Sequence, residues 1–158
     1  MSVPVIHRGI RFRSTLEARW TLVFEGLGAQ WSYEPKRFDL PSGVYVPDFR
    51  LVYEGATFWV EIKGPWPDAR EVQVASEINL YVGPLIILSG DVPRRGHGGT
   101  AWWFDVSTAR WSMVSPAEAI LRTVYTEDVR PADLDWDRHL AVARMTQFER
   151  ARGVHQGG

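Results

Sequence analysis

Apolar residues recur at Leu16, Trp20, Val23 and Leu27 within STLEARWTLVFEGL, residues 14–27, at the spacing of one helical face. Ser14 and Glu17 hold the two positions of a capping box, and Gly28 supplies a stop. The pattern predicts a helix. Residues 30–39 read as a first strand. The β-branched and aromatic runs 44–53 (VYVPDFRLVY) and 57–63 (TFWVEIK) flank Glu54-Gly55 and predict a hairpin. Pro65 and Pro67 end that pair, and Pro67 opens a second helix running to about Leu80. The continuous apolar run PLIILSG, 84–90, predicts a buried strand, RRGHGG (94–99) a loop, and AWWFDV (101–106) with RWSMV (110–114) a further hairpin. Ser115 and Pro116 start a short helix to about Val124. A last helix spans about Ala132 to Arg152 with Trp136, Leu140 and Ala143 on one side, before a frayed tail GVHQGG. The order is α, three β, α, more β, then α, without internal repeats.

Strand alternation sets Thr57, Trp59, Glu61 and Lys63 on one face and Phe58, Val60 and Ile62 on the other. With Glu54-Gly55 as a two-residue turn, Tyr53 meets Ala56, and counting outward brings Asp48 opposite Glu61. Phe49, Leu51 and Tyr53 then lie beside Val60, Phe58 and Ala56 on the apolar face. Two carboxylates opposed across a strand pair repel unless a cation neutralises them. Oxygen ligands at this spacing suit Mg²⁺ or Mn²⁺, with Lys63 placed to hold a water or offset phosphate charge. The plainer alternative is a surface hairpin in which Lys63 salt-bridges one acid.

Composition narrows the class. At 158 residues with 45% hydrophobic and 23% charged residues, the chain reads as one globular α/β domain. It has no run long and apolar enough for a membrane helix. The start MSVPVIHRGIRFR lacks a secretory pattern, so the expected location is cytoplasmic. Zero cysteines exclude disulfides, thiolate catalysis and Cys-containing zinc sites, leaving hard cations with oxygen ligands. The net charge of -1 argues against broad affinity for a polyanion. The positive charge is nearly all Arg, however, and Arg8, Arg11 and Arg13 precede the first acid, Glu17, so a local basic surface is expected.

Pro47-Asp48, twelve residues, then Glu61-Ile62-Lys63 resembles the PD-(D/E)XK nuclease superfamily. The resemblance covers roughly residues 11–90. It implies a restriction-endonuclease-like core (α-β-β-β-α-β) with a central mixed sheet, to which a C-terminal hairpin and helices are added. It further implies that Asp48, Glu61 and the Ile62 carbonyl ligate Mg²⁺ or Mn²⁺ and that Lys63 orients the nucleophilic water. Glu17 matches the acid on the family's first helix, and Gln73 a polar position on its second. One or two ions would bind the scissile phosphate, water would attack in line, and the 3′ oxygen would leave. The expected activity is a Mg²⁺-dependent deoxyribonuclease, an endonuclease of phage or mobile-element, restriction, recombination or repair type. The alternatives are a catalytically superseded nucleic-acid-binding or scaffold protein and an RNA-processing nuclease.

The remaining features have structural readings beside functional ones. Most of the eight tryptophans are expected in the core, with Trp66, between two prolines beyond Lys63, as a candidate substrate contact. Trp59 opposite Arg50 suggests a cross-strand cation–π pair. Arg11, Arg13, Arg94 and Arg95 are candidate phosphate contacts. His7 and His97 lack ligand-spaced partners and are expected in loops. A homodimer is the expected assembly if both strands are cut.

Overall fold

The computed structural model of the protein describes residues 3–93, 98–125 and 142–150. Arg94, Arg95 and His97, residues 132–141 of the expected last helix with Trp136 and Leu140, and the tail lie outside the described residues.

The chain opens with a hairpin that periodicity did not reveal: β1 (Val5–His7) and β2 (Ile10–Phe12) turn at Arg8-Gly9. His7 therefore lies in a strand, not a loop. Helix α1 (Thr15–Leu27) follows, with the Ser14 hydroxyl accepting the Glu17 N–H at 3.2 Å and Gly28 leaving the helix at φ 82. The expected strand 30–39 divides into β3 (Gln30–Tyr33) and β4 (Phe38–Leu40). The expected strand 44–53 likewise divides into β5 (Gly43–Tyr45), paired with β4, and β6 (Phe49–Tyr53). Pro47 lies in the break and has no N–H to donate to a ladder. β6 turns at Glu54-Gly55 into β7 (Ala56–Lys63).

Helix α2 (Ala69–Tyr81) starts two residues later than expected, because Asp68 rather than Pro67 sets its end. Asp68 and Glu71 form a full capping box. β8 (Leu85–Ser89), β9 (Thr100–Asp105), β10 (Arg110–Val114) and α3 (Pro116–Val124) fall where the pattern puts them. The last helix does not reach Arg152: residues 142–145 are helical, but Glu149–Arg150 form β11, which pairs with β1.

The architecture is mixed α/β around a six-stranded sheet ordered β10-β9-β8-β7-β6-β3. β7 and β8 run parallel and the other neighbours antiparallel, so the sheet is mixed. The parallel pair follows from α2 crossing between the two strands. Alternation sorts the sheet's side chains. Phe58, Val60, Ile62, Ile86 and Leu88 pack with Trp20 and Phe24 of α1 and Ile120 of α3. Trp59, Leu85 and Ile87 pack on the other face with Ala75 and Ile78 of α2 and Phe38 of β4. Trp59 sits opposite Arg50 in register, yet its ring meets Phe38 edge-on at 5.1 Å instead of a cation. Among the described residues no helix is long and apolar enough to cross a membrane.

Candidate active site

The β6–β7 turn places both Glu54 (φ 50) and Gly55 (φ 79) in the left-handed region, the geometry of a two-residue hairpin loop that follows the strands' twist. Pairing runs from Tyr53↔Ala56 to Phe49↔Val60, the register expected from the sequence. One step further, each acid accepts a backbone N–H from the facing segment. The Asp48 N–H donates to Glu61 Oε1 at 3.1 Å, and the Ile62 N–H donates to Asp48 Oδ2 at 2.7 Å. The Asp48 carbonyl accepts the Glu34 N–H at 2.7 Å, so the strand end is tied on both sides.

Both acids are buried, Asp48 at 3% and Glu61 at 5% exposure. Burial first, and the neighbouring Glu61 second, push the Asp48 carboxyl far above the usual carboxylate range. Glu17, in the first turn of α1, joins them at 5% exposure. Its carboxylate accepts from the hydroxyls of Ser14 (3.3 Å) and Tyr33 (3.2 Å), not from the Ser14 N–H that a capping box requires. Burial and then Asp48 raise it to about 7.

Two cations border the acids. Arg13 Nη2 lies 2.9 Å from Asp48 Oδ1 and 3.8 Å from Glu17, while its Nε is 3.5 Å from Glu34. Lys63 Nζ is 3.8 Å from Glu61 and ion-pairs with Glu71. Burial alone would lower the Lys63 ammonium, but Glu71 and Glu61 outweigh it and hold it above its ordinary value. Five carboxylates, Glu17, Glu34, Asp48, Glu61 and Glu71, thus share two cations, which leaves three negative charges in excess if all ionise (5 − 2).

Arg13, Glu17, Asp48, Glu61 and Lys63 border a cleft of about 440 Å³ that also includes Ile62, Gly64 and Pro65. The N-terminal turn of α1 comes to it through Ser14, Leu16 and Glu17, and a helix N-terminus favours negative charge there. A larger hollow of about 650 Å³ shares Ser14 and Leu16 with the cleft and adds Arg19 and Arg150, but none of its lining side chains is an acid. The acids therefore line the smaller one.

Among the described residues no three His, Cys, Asp or Glu side chains form a ready-made metal cage. A cage is not what Mg²⁺ needs, since it keeps several waters and takes one or two carboxylates. Asp48 and Glu61, all-oxygen donors buried against each other, fit that requirement. Their mutual repulsion is what a divalent cation would remove.

Of the residues singled out from the sequence, Arg13, Glu17, Asp48, Glu61, Ile62 and Lys63 meet at the cleft. Gln73 does not: it is exposed on α2, two residues from Glu71, and positions two apart on a helix do not share a face. Arg11 is exposed on β2, away from the acids. Trp66 is 63% exposed just beyond the cleft wall.

Four contributors were not anticipated: Tyr33 and Glu34, which hold Glu17 and Arg13, and Tyr45 and Glu71. The Tyr45 hydroxyl donates to Glu61 Oε2 at 2.8 Å, and burial followed by Glu61 raises its pKa, keeping it a neutral donor. Continuous alternation through 44–53 would turn Tyr45 to the opposite face, and the break at Pro47 re-aims it. Glu71 holds Lys63 with one oxygen while the other accepts the Asp68 N–H at 2.9 Å, and its place in the Asp68 capping box was the available signal.

No family model matches the chain, and no curated protein matches it either. The functional reading therefore stands on the site itself.

Proposed function

We propose that the protein is a Mg²⁺- or Mn²⁺-dependent nuclease that hydrolyses phosphodiester bonds in DNA, with Asp48, Glu61 and the Ile62 carbonyl as metal ligands. The observation that carries this reading is the pair of buried carboxylates, each accepting a backbone N–H from the facing segment, in a cluster with more negative charge than Arg13 and Lys63 neutralise, a costly arrangement that a divalent cation would relieve. The order α1, β3, β6, β7, α2, β8, with the β4–β5 hairpin inserted, supports a restriction-endonuclease-like core.

A divalent cation bound there supplies Lewis acidity toward a phosphate oxygen and makes water more acidic. The protein's own groups then divide the work. Lys63, kept charged by Glu71, offers donors to the attacking water or to charge building on the phosphate. Tyr45 holds the Glu61 carboxylate in one orientation. Arg13, 66% exposed along its side chain although Nη2 is held by Asp48, borders the cleft where a substrate phosphate would add a second acceptor for its guanidinium. Glu17 stands beside Asp48 as a further acceptor for a water or ion.

The test is cleavage of single-stranded, duplex and branched DNA and of RNA by wild type, Asp48→Asn and Lys63→Ala, with Mg²⁺, Mn²⁺ or chelator. The expected result is metal-dependent cutting of DNA by wild type alone, with both variants folded. Binding without cutting in any metal would favour a superseded scaffold instead, and preferential cutting of RNA would reassign the substrate.

A further inference from the structure

A second cavity, of about 150 Å³, adjoins the cleft and is lined by Trp66, Pro67, Val72, Ile87, Trp102 and Trp111. The chain links the two directly: Lys63, Gly64 and Pro65 border the cleft, and Trp66 and Pro67 border the cavity. The sheet links them again. Glu61 pairs with Ile87, and Ile87 with Trp102, so the acid and the indole share one row and one sheet face. Two strand spacings separate them by about 10 Å.

The walls are aromatic and held in place. Trp111 donates its indole N–H to the Ser76 hydroxyl at 2.8 Å, Ile87 is 1% exposed, and Trp66 lies edge-on to Trp102 with centroids 5.2 Å apart. Trp66 is nevertheless 63% exposed, a large aromatic surface left to water beside a candidate phosphate site. Among the described residues the buried Trp102 indole N–H has no hydrogen-bond partner, a cost that a ring nitrogen or carbonyl of a bound molecule would remove. A void of this size takes a single flat ring system.

We propose that this cavity receives one unpaired nucleobase next to the scissile phosphate, so that the substrate is single-stranded or locally opened DNA. The proposal rests on the nuclease reading for its choice of occupant. A base seated in the cavity against the exposed ring of Trp66 stacks on a π-face whatever its sequence, and its phosphate lies toward Lys63 and the acids. A base inside an intact duplex is already stacked and paired and would have to be extruded first.

The test measures binding of a short fluorescein-labelled single-stranded DNA and of its duplex, in chelator, to wild type, Trp66→Ala and Trp66→Tyr. Trp66→Ala is expected to weaken single-strand binding by about 5- to 150-fold, the range of one lost base stack, while the duplex changes little and Trp66→Tyr recovers most of the affinity. A walk of abasic sites along the strand is expected to find one position where wild type loses the same factor and Trp66→Ala loses nothing more. Unchanged affinity in Trp66→Ala, or equal abasic losses in both proteins, overturns the pocket. If wild type still cuts DNA in Mg²⁺, that failure leaves the nuclease reading standing. A position-specific abasic loss in a protein that never cuts upholds the pocket and removes the nuclease reading.

Discussion

Asp48 and Glu61 carry a conflict that Arg13 and Lys63 relieve only in part. Each satisfies a backbone N–H of the other's strand, which fixes their geometry, yet burial and proximity make charge on Asp48 unfavourable. Asp48→Asn keeps an acceptor for the Ile62 N–H and removes one buried negative charge, at the loss of an ion pair whose Arg13 side is two-thirds exposed and so contributes little. The metal-free variant is expected to be more stable than wild type by at least about 1 kcal/mol, a rise of roughly 2–4 °C in melting temperature. Added Mg²⁺ is expected to raise the wild-type melting temperature and leave the variant unmoved, because only a ligand that binds the folded form shifts the equilibrium. Melting curves with and without Mg²⁺ check both points, and a variant less stable than metal-free wild type would mean that the acids are not in conflict.

At the scale of elements, the β6–β7 turn determines whether the acids meet at all. A slip of one residue would send every side chain of one strand to the other face and separate Asp48 from Glu61. The turn holds Glu54 at φ 50, where a side chain with a Cβ is strained and Asn is better tolerated. Glu54 is exposed and distant from the cleft, so Glu54→Asn is expected to stabilise by about 0.5–1 kcal/mol without changing cleavage or metal affinity. Chemical denaturation and a Mg²⁺ titration measure the two effects. The hairpin was legible in the sequence because a two-residue turn and a period of two leave one register that buries Phe49, Leu51, Phe58 and Val60 together. The position of Tyr45 was not, since the break at Pro47 ends one pairing and begins another, and local alternation carries no sign of it. Glu71 and Gln73 differ in the same way: which helical position faces the cleft depends on the rotation of α2 on the sheet.

Across the whole molecule, the N-terminal hairpin is tied to the sheet through Glu25. His7 Nε2 and the Trp31 indole N–H reach Glu25 Oε1 at 3.1 and 3.2 Å, and Arg8 Nε lies at 3.2 Å. Burial alone would raise Glu25, but the bonds from Arg8, His7 and Trp31 outweigh it and hold its carboxyl below the usual range. A depressed folded pKa adds stability above the unfolded pKa of about 4.5, and that stability is lost as pH falls through the folded value. Glu25→Gln is therefore expected to lower the melting temperature at pH 7, with the gap to wild type closing below about pH 4. A gap that persists undiminished into acid would show that Glu25 acts by packing alone. This contact also bears on the site, because β2 leads directly into Arg13 and the cap of α1.

The sequence by itself determined α1, the β6–β7 hairpin, the facing of Asp48 and Glu61, the buried strand β8 and the β9–β10 pair. All of these follow from local rules: periodicity, capping, turn chemistry and register act between residues near in the chain. Only the tertiary structure decided that Glu17 turns inward instead of closing its capping box. It likewise decided that Arg13 reaches Asp48, that Tyr45 and Glu71 brace the acids and the lysine, and that Trp66 lines one cavity with Trp102 and Trp111. Those contacts join residues whose separation in sequence ranges from 8 to 45 positions. They depend on how helices rotate and strands order themselves when the two faces of the sheet are buried, a global packing outcome that no short window of the chain contains.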